Sequence, residues 1–184
     1  SMGGLIATRY ALRHQEQLDA LVLSGVALQV GDDVSPLLKR VGGLIAQVVP
    51  MLPVRPPAKN VLSRDPRVEE RFRADPLCYQ GYMKARMGHE LMKAAEDASA
   101  RLEQLSLPVL IMHGTVDGLT NPEGSKRLYE RARSEDKTLK LWQDNYHEIF
   151  NDLDQKDVIA FMLDWLDERL TEGVGEGYGS GIER

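Results

Sequence analysis

Residues 107–117 read LPVLIMHGTVD. From Pro108 to Gly114 the run is almost continuously apolar and closes on a glycine. That pattern suits a strand buried on both faces of a parallel sheet. Working outward, Leu18 to Gly25 (LDALVLSG) holds a second such run, and Thr138 to Trp142 (TLKLW) a weaker third. Helical patterns separate and flank them. Gly3 to Arg13 carries Leu5, Ile6, Tyr10 and Leu12 among polar residues. Asn121 and Pro122 read as N-cap and first helical position of a helix running to about Arg133. A last helix, Lys156 to Leu170, gathers Val158, Ile159, Met162, Trp165 and Leu166 on one face. Strands alternating with helices predict an α/β architecture with about three parallel strands.

The stretch from Val26 to Leu105 breaks the alternation and contains no convincing strand. Ser35-Pro36 opens a helix with Leu37, Leu38, Val41, Leu44, Ile45, Val48 and Val49 at helical spacing. Gly42 and Gly43 interrupt it, each costing about 1 kcal/mol relative to Ala. Prolines 50, 53, 56 and 57 follow. Asp65-Pro66 opens a short helix, Asp75-Pro76 breaks the chain again, and Tyr82 to Leu105 reads as one longer helix or two. The expected division is therefore 1–26 as a helix and strand of the core and 27–105 as an inserted helical cap. Residues 106–170 return to the core, and 171–184 form a flexible Gly-rich tail without function.

Bulk properties narrow the function. A net charge of −5 and a pI near 5.4 advertise no basic face, so no nucleic-acid partner is expected. The single cysteine, Cys78, excludes an internal disulfide, is compatible with a reducing compartment, and reads as a small buried or half-buried hydrophobe. No apolar run is long enough to span a bilayer. No cluster of His, Cys and Asp has metal-ligand spacing, and neither a metal nor another cofactor is expected. Because the sequence starts at Ser1 with no lead-in, the absence of a targeting segment carries no information. The compartment is therefore not readable, and a cytoplasmic or peripherally membrane-associated location is the expectation.

A serine hydrolase needs a nucleophile, a His that takes its proton and an acid that orients the His. In one fold class of α/β serine hydrolases these follow in the order Ser, acid, His, each in a loop after a strand. Asp117 lies just past the strand run from Pro108 to Gly114, where α/β sites form, although a turn or helix-capping role suits it equally by position alone. His147 follows the third strand and precedes the last helix. His14 ends the first helix, His89 is within the insertion and His113 precedes the acid, so all three fit worse. Asp144 ranks well below Asp117 because it sits on the strand exit ahead of His147. Ser1-Met2-Gly3 supplies the second half of the G-x-S-x-G elbow. Two other readings of Ser1 stand beside it: a residue left by tag removal, and a self-processed nucleophile using its own amine. The second would leave Asp117 and His147 without a role. Against the first, Gly3-Gly4-Leu5 leads straight into an amphipathic helix and then a buried strand.

Several segments in this order resemble the bacterial monoacylglycerol lipases: SMGG (1–4), SRDP (63–66), DPL (75–77), LPVLIMHGTVD (107–117), EGS (123–125), DKTLKLW (136–142) and YHEIFN (146–151). That α/β-hydrolase group also holds mammalian monoglyceride lipase and related lysophospholipases. The resemblance extends from Ser1 to about Leu170. It implies the C-terminal part of an α/β-hydrolase sheet with a cap, beginning at the nucleophile. It makes Ser1 the nucleophile, Asp117 the acid, His147 the base and the Met2 amide an oxyanion-hole donor. The implied reaction cleaves a monoacylglycerol, a small lipid ester, into fatty acid and glycerol. Leu37, Leu38, Val41, Leu44, Ile45 and Val48 would accept the acyl chain or make transient contact with a membrane or micelle, or simply pack on the core. The family carries a further N-terminal half with several strands and a His-Gly segment that gives the second oxyanion donor. With that half missing, the chain alone is expected to be inactive, and the missing half or a second chain is expected to complete the fold. Other readings are a lysophospholipase, a generic carboxylesterase or perhydrolase, a non-catalytic binding module of the same fold, and a structural fragment.

Overall fold

The computed structural model describes residues 1–30 and 35–174. Three strands, β1 (Leu21–Ser24), β4 (Val109–Gly114) and β5 (Lys137–Trp142), form one sheet in the order β1-β4-β5. Both pairings are parallel, with Leu21 opposite Val109 and Val109 opposite Lys137. The central strand, β4, is buried along its whole length. That is the physical reason for its unbroken apolar run, since residues of both parities meet a covered face. Val109 and Ile111 join one apolar cluster with Leu5, Leu12, Leu23, Ala95, Ala98, Leu105 and Leu128. Leu110 and Met112 join the opposite cluster with Ile149, Val158 and Trp165.

Helices α1 (Met2–His14), α4 (Ala85–Ala100) and α5 (Pro122–Arg131) cover the first face, and α6 (Gln155–Val174) covers the second. The α5 start is as expected: Asn121 accepts a hydrogen bond from the Glu123 N–H at 3.0 Å, with Pro122 at the first position. Such a cap is worth about 1 kcal/mol. The apolar faces are narrower than their periodicity implies, because Ile6 and Tyr10 of α1 and Ile159 of α6 are exposed. α6 continues past Leu170 to Val174, so the expected tail begins inside a helix, and its remainder lies outside the described residues.

The segment between β1 and β4 is mainly helical, with α2 (Pro36–Val48), α3 (Pro66–Ala74) and α4. It also contains two strands that the sequence did not announce. β2 (Pro53–Arg55) and β3 (Met83–Lys84) pair antiparallel. Three residues and two residues are too short to show a period of two, and β2 is exposed throughout. α2 packs against α4 through its small residues. Its buried positions are Gly43 and Ala46. A Cβ at Gly43 would stand 3.1 Å from the His89 ring, so this glycine permits the close approach of the two helices. The six large apolar residues expected to line a lid are all exposed, from 37% at Ile45 to 80% at Val48. Packing on the core therefore does not account for them.

Candidate active site

Asp117 lies three residues beyond β4, in the turn leading to α5. Its two carboxylate oxygens divide the two readings the sequence allowed. Oδ1 serves the turn, accepting the N–H of Leu119 at 2.8 Å and of Thr120 at 2.9 Å. Oδ2 serves histidine, standing 2.7 Å from Nδ1 of His147. The Thr120 hydroxyl lies 2.9 Å from the same oxygen. Burial by itself raises a carboxyl pKa. Here hydrogen bonds from His113, His147 and the Thr120 N–H, with the proximity of His147, outweigh burial and hold Asp117 well below the usual carboxylate range.

A carboxylate only accepts, so Nδ1 of His147 carries the hydrogen, and in the neutral ring Nε2 presents a lone pair. This is the tautomer a general base requires. The ring is buried and rests against the end of β1. Gly25 has φ +54°, and a Cβ there would meet the ring at 3.1 Å from Cε1 and 3.2 Å from Nδ1. Only glycine takes this backbone conformation without strain and leaves the ring its place.

The His147 loop is itself held by residues of the insertion. The N–H groups of His147 and Glu148 donate to the carbonyls of Val61 and Leu62 at 3.3 and 2.7 Å. Arg64 reaches across with Nε on Asp152 at 2.9 Å and Nη2 on Asn145 and Asp154 at 2.7 and 2.6 Å. Asp152, fully buried, also accepts the N–H of Tyr146 and Leu153. Burial raises its pKa, but these N–H donors and Arg64 together bring it below the ordinary value. The sequence reading missed this clamp. SRDP was visible as a motif, but its partners lie 81 to 90 positions away and are ordinary polar and charged residues.

Ser1 sits at the N-terminus of α1. Its carbonyl accepts the N–H of Leu5 at 3.1 Å and of Ala27, just past β1, at 3.3 Å. Its hydroxyl makes no capping bond to the helix, although serine commonly does, and none to His147. The charges of Asp117 and Glu148 act at the Ser1 backbone nitrogen, which puts Ser1 within electrostatic reach of the acid. The Met2 side chain is exposed, and its N–H is among the first-turn donors that no helical carbonyl can satisfy. Asp144 is exposed and accepts from Gln143. His14 and His89 are remote from this cluster, the first beside Glu16 and the second against Gly43. His113, set aside by chain order, lies 3.0 Å from Asp117. Among the described residues no group of His, Cys, Asp and Glu is arranged to hold a metal ion.

A family model described as "Serine aminopeptidase, S33" matches residues 1–154. The chain belongs to this family of hydrolases. A monoacylglycerol lipase of Mycolicibacterium smegmatis is 35% identical over 170 residues, covering 92% of this chain and 61% of that protein. The monoglyceride lipase of Mus musculus is 28% identical, with coverages of 92% and 57%. Among solved structures, the monoacylglycerol lipase of Paleococcus ferrophilus superposes with a TM-score of 0.82 at 29% identity, covering 92% of this chain and 66% of that one. The parallel sheet and its flanking helices are thus part of an α/β-hydrolase fold of the monoglyceride lipase type. This family member spans about 60% of the length of these two curated relatives.

Proposed function

We propose that this protein is a serine hydrolase that cleaves monoacylglycerols to fatty acid and glycerol, with Ser1, His147 and Asp117 as nucleophile, base and acid. The buried 2.7 Å pair of His147 and Asp117, beside the first turn of α1, carries this reading. In the reaction Nε2 of His147 takes the Ser1 proton as Oγ attacks the ester carbonyl. The Met2 N–H stabilises the oxyanion, and His147 returns the proton to the departing glycerol oxygen. Water, deprotonated by the same ring, then releases the fatty acid. Asp117 stays ionised throughout and stabilises the imidazolium.

The exposed α2 residues Leu37, Leu38, Val41, Leu44, Ile45 and Val48 favour a lipid ester over a peptide or a small polar ester. They offer an apolar surface to an acyl chain or to a membrane or micelle that holds one. Residues 1–184 alone contribute a single oxyanion donor. Loss of one donor costs roughly 10²–10³ in rate, so we place turnover by this stretch alone at least that far below that of a protein supplying two. The part of its relatives' length that this chain does not span, or a second chain, would supply the other.

The test is glycerol release from a long-chain monoacylglycerol, with fluorophosphonate labelling, by the whole protein including any residues that precede Ser1. Ser1→Ala and His147→Ala should abolish both. Turnover that survives Ser1→Ala overturns the assignment, and strong Ser1-dependent turnover by residues 1–184 alone overturns the oxyanion argument.

A further inference from the structure

His113 stands on β4, four residues before the acid. It continues the side of the strand that carries Val109 and Ile111, facing the layer of α1, α4 and α5. Its side chain is fully buried, and both ring nitrogens are occupied. Nε2 lies 3.0 Å from Asp117 Oδ2 and 3.3 Å from the Thr120 hydroxyl. Nδ1 lies 2.7 Å from the hydroxyl of Ser125, a buried residue of α5. For a neutral ring, only one hydrogen placement satisfies both ends. The carboxylate cannot donate, so Nε2 carries the hydrogen. The neutral ring then has its lone pair on Nδ1, which the Ser125 hydroxyl fills by donating. A directed chain results, from Ser125 to His113 to Asp117, meeting His147 at the same carboxylate oxygen.

We infer that His113 is a positioning residue: a neutral imidazole, locked by Ser125 in its Nε2–H form, that anchors Asp117 Oδ2 and moderates the hold of Asp117 on His147. Two imidazoles and the Thr120 hydroxyl share one oxygen, while Oδ1 is committed to the two backbone N–H groups of the turn. Each donor lowers the charge available to the others. Without His113 the carboxylate concentrates on His147 and favours its protonated form, the form that cannot act as base. The other charges near His147 are Glu148, Asp152 and Asp154 on its own loop and Arg64 of the insertion, and no hydrogen bond or ion pair joins any of them to His113. The catalytic meaning rests on the reading of His147 as the base, whereas the hydrogen placement does not.

Imidazole nitrogen NMR on the protein tests both. In the wild type, His113 should carry hydrogen on Nε2 and none on Nδ1 at neutral pH. A hydrogen on Nδ1, or a doubly protonated ring, overturns the inference. In His113→Leu the titration midpoint of His147 should rise by about 0.5–1 pH unit, and the acid limb of kcat/KM on a short-chain ester should move with it. In His113→Gln, whose amide nitrogen occupies the place of Nε2 and donates to Asp117, both should return toward wild type. A packing role alone would lower stability in both variants and leave the midpoint unmoved, and that result also overturns it. If His113→Leu does not fold, Ser125→Ala serves. It should release the lock and give a mixture of His113 tautomers, and an unchanged Nε2–H form refutes the role of Ser125. Failure of the proposed esterase activity would leave these NMR results standing, so the two readings fail separately.

Discussion

Replacing Asp117 by Asn separates the electrostatic role of this residue from its role in the turn. The two backbone N–H groups on Oδ1, at 2.8 and 2.9 Å, are fixed by the turn and demand an acceptor. The Asn carbonyl therefore takes that place, and its NH₂ takes the place of Oδ2. There it faces Nδ1 of His147, Nε2 of His113 and the hydroxyl of Thr120. An amide nitrogen only donates, so both imidazoles must present lone pairs to it. For His113 that exchange is tolerable, since Nδ1–H can donate to Ser125. For His147 it is not. The hydrogen moves to Nε2, the atom that should receive the Ser1 proton.

The wrong tautomer at an otherwise intact triad costs about 10⁴ in kcat, or about 5 kcal/mol of transition-state stabilisation. Stability should fall far less. The number of bonds is preserved, and the loss is of charge assistance, roughly 1–3 kcal/mol in all. The assay is the fluorophosphonate labelling rate and ester turnover of the whole protein, beside urea unfolding of both forms. A variant that labels within about tenfold of wild type would refute the reasoning. So would one whose activity falls only as far as its folded fraction.

Three further outcomes follow from the same geometry. Gly25→Ala forces φ +54° on an L-residue and sets a methyl 3.1 Å from the His147 ring. A strain of about 1–2 kcal/mol with a displaced base should cut kcat/KM by roughly 10–100-fold, and unchanged kinetics would refute the contact. Asp117 and Asp152 both bind protons more weakly folded than at their ordinary value of 3.8. Their contribution to stability is therefore complete above that value and is lost as pH falls through the lower folded values. Asp152→Asn should flatten the acid limb of urea stability and, by weakening the Arg64 clamp, cost roughly 2–3 kcal/mol at neutral pH. That is below the usual cost of a broken buried pair, because Arg64 is partly exposed and keeps Asp154. Leu44→Ser with Val48→Ser should leave Tm and short-chain ester turnover unchanged, since both side chains are exposed. Turnover of a long-chain monoacylglycerol in vesicles should drop at least tenfold, and an equal loss on both substrates would argue against a lipid-facing role.

The sheet was legible because a strand covered on two faces must be apolar at successive positions, and β4 is. Its neighbours were weaker signals. β5 is only half-buried along its length, and Lys137 and Lys140 interrupt it. The β2–β3 pair left no trace because it is made by backbone groups of three exposed and two half-buried residues. α2 shows another limit. Helical spacing of Leu37, Val41, Leu44 and Val48 establishes that one face is apolar, but not what covers that face. In the structure the helix instead rests on Gly43 and Ala46, residues too small to register in a hydrophobic pattern.

The site was legible where chain order constrains it and illegible where only space does. Asp117 and His147 could be chosen because each follows a strand of a parallel sheet, so their loops emerge at the same end and meet at 2.7 Å. His113 was discarded by the same logic, since a base is expected after the acid. It reaches the acid through strand parity. Position 113 has the parity of 109 and 111, which turns its ring toward α5 and lets the Asp117 turn fold back over it. Arg64 reaches the His147 loop across the whole second half of the chain. What the single letters could not convey is that Asp117 is a junction. One carboxylate closes its own turn, receives a histidine from its own strand and receives another from the next loop. Each donor draws the carboxyl pKa down against a burial that pushes it up. A residue so heavily committed cannot rotate away from His147, and that immobility is what the proposed base needs from its acid.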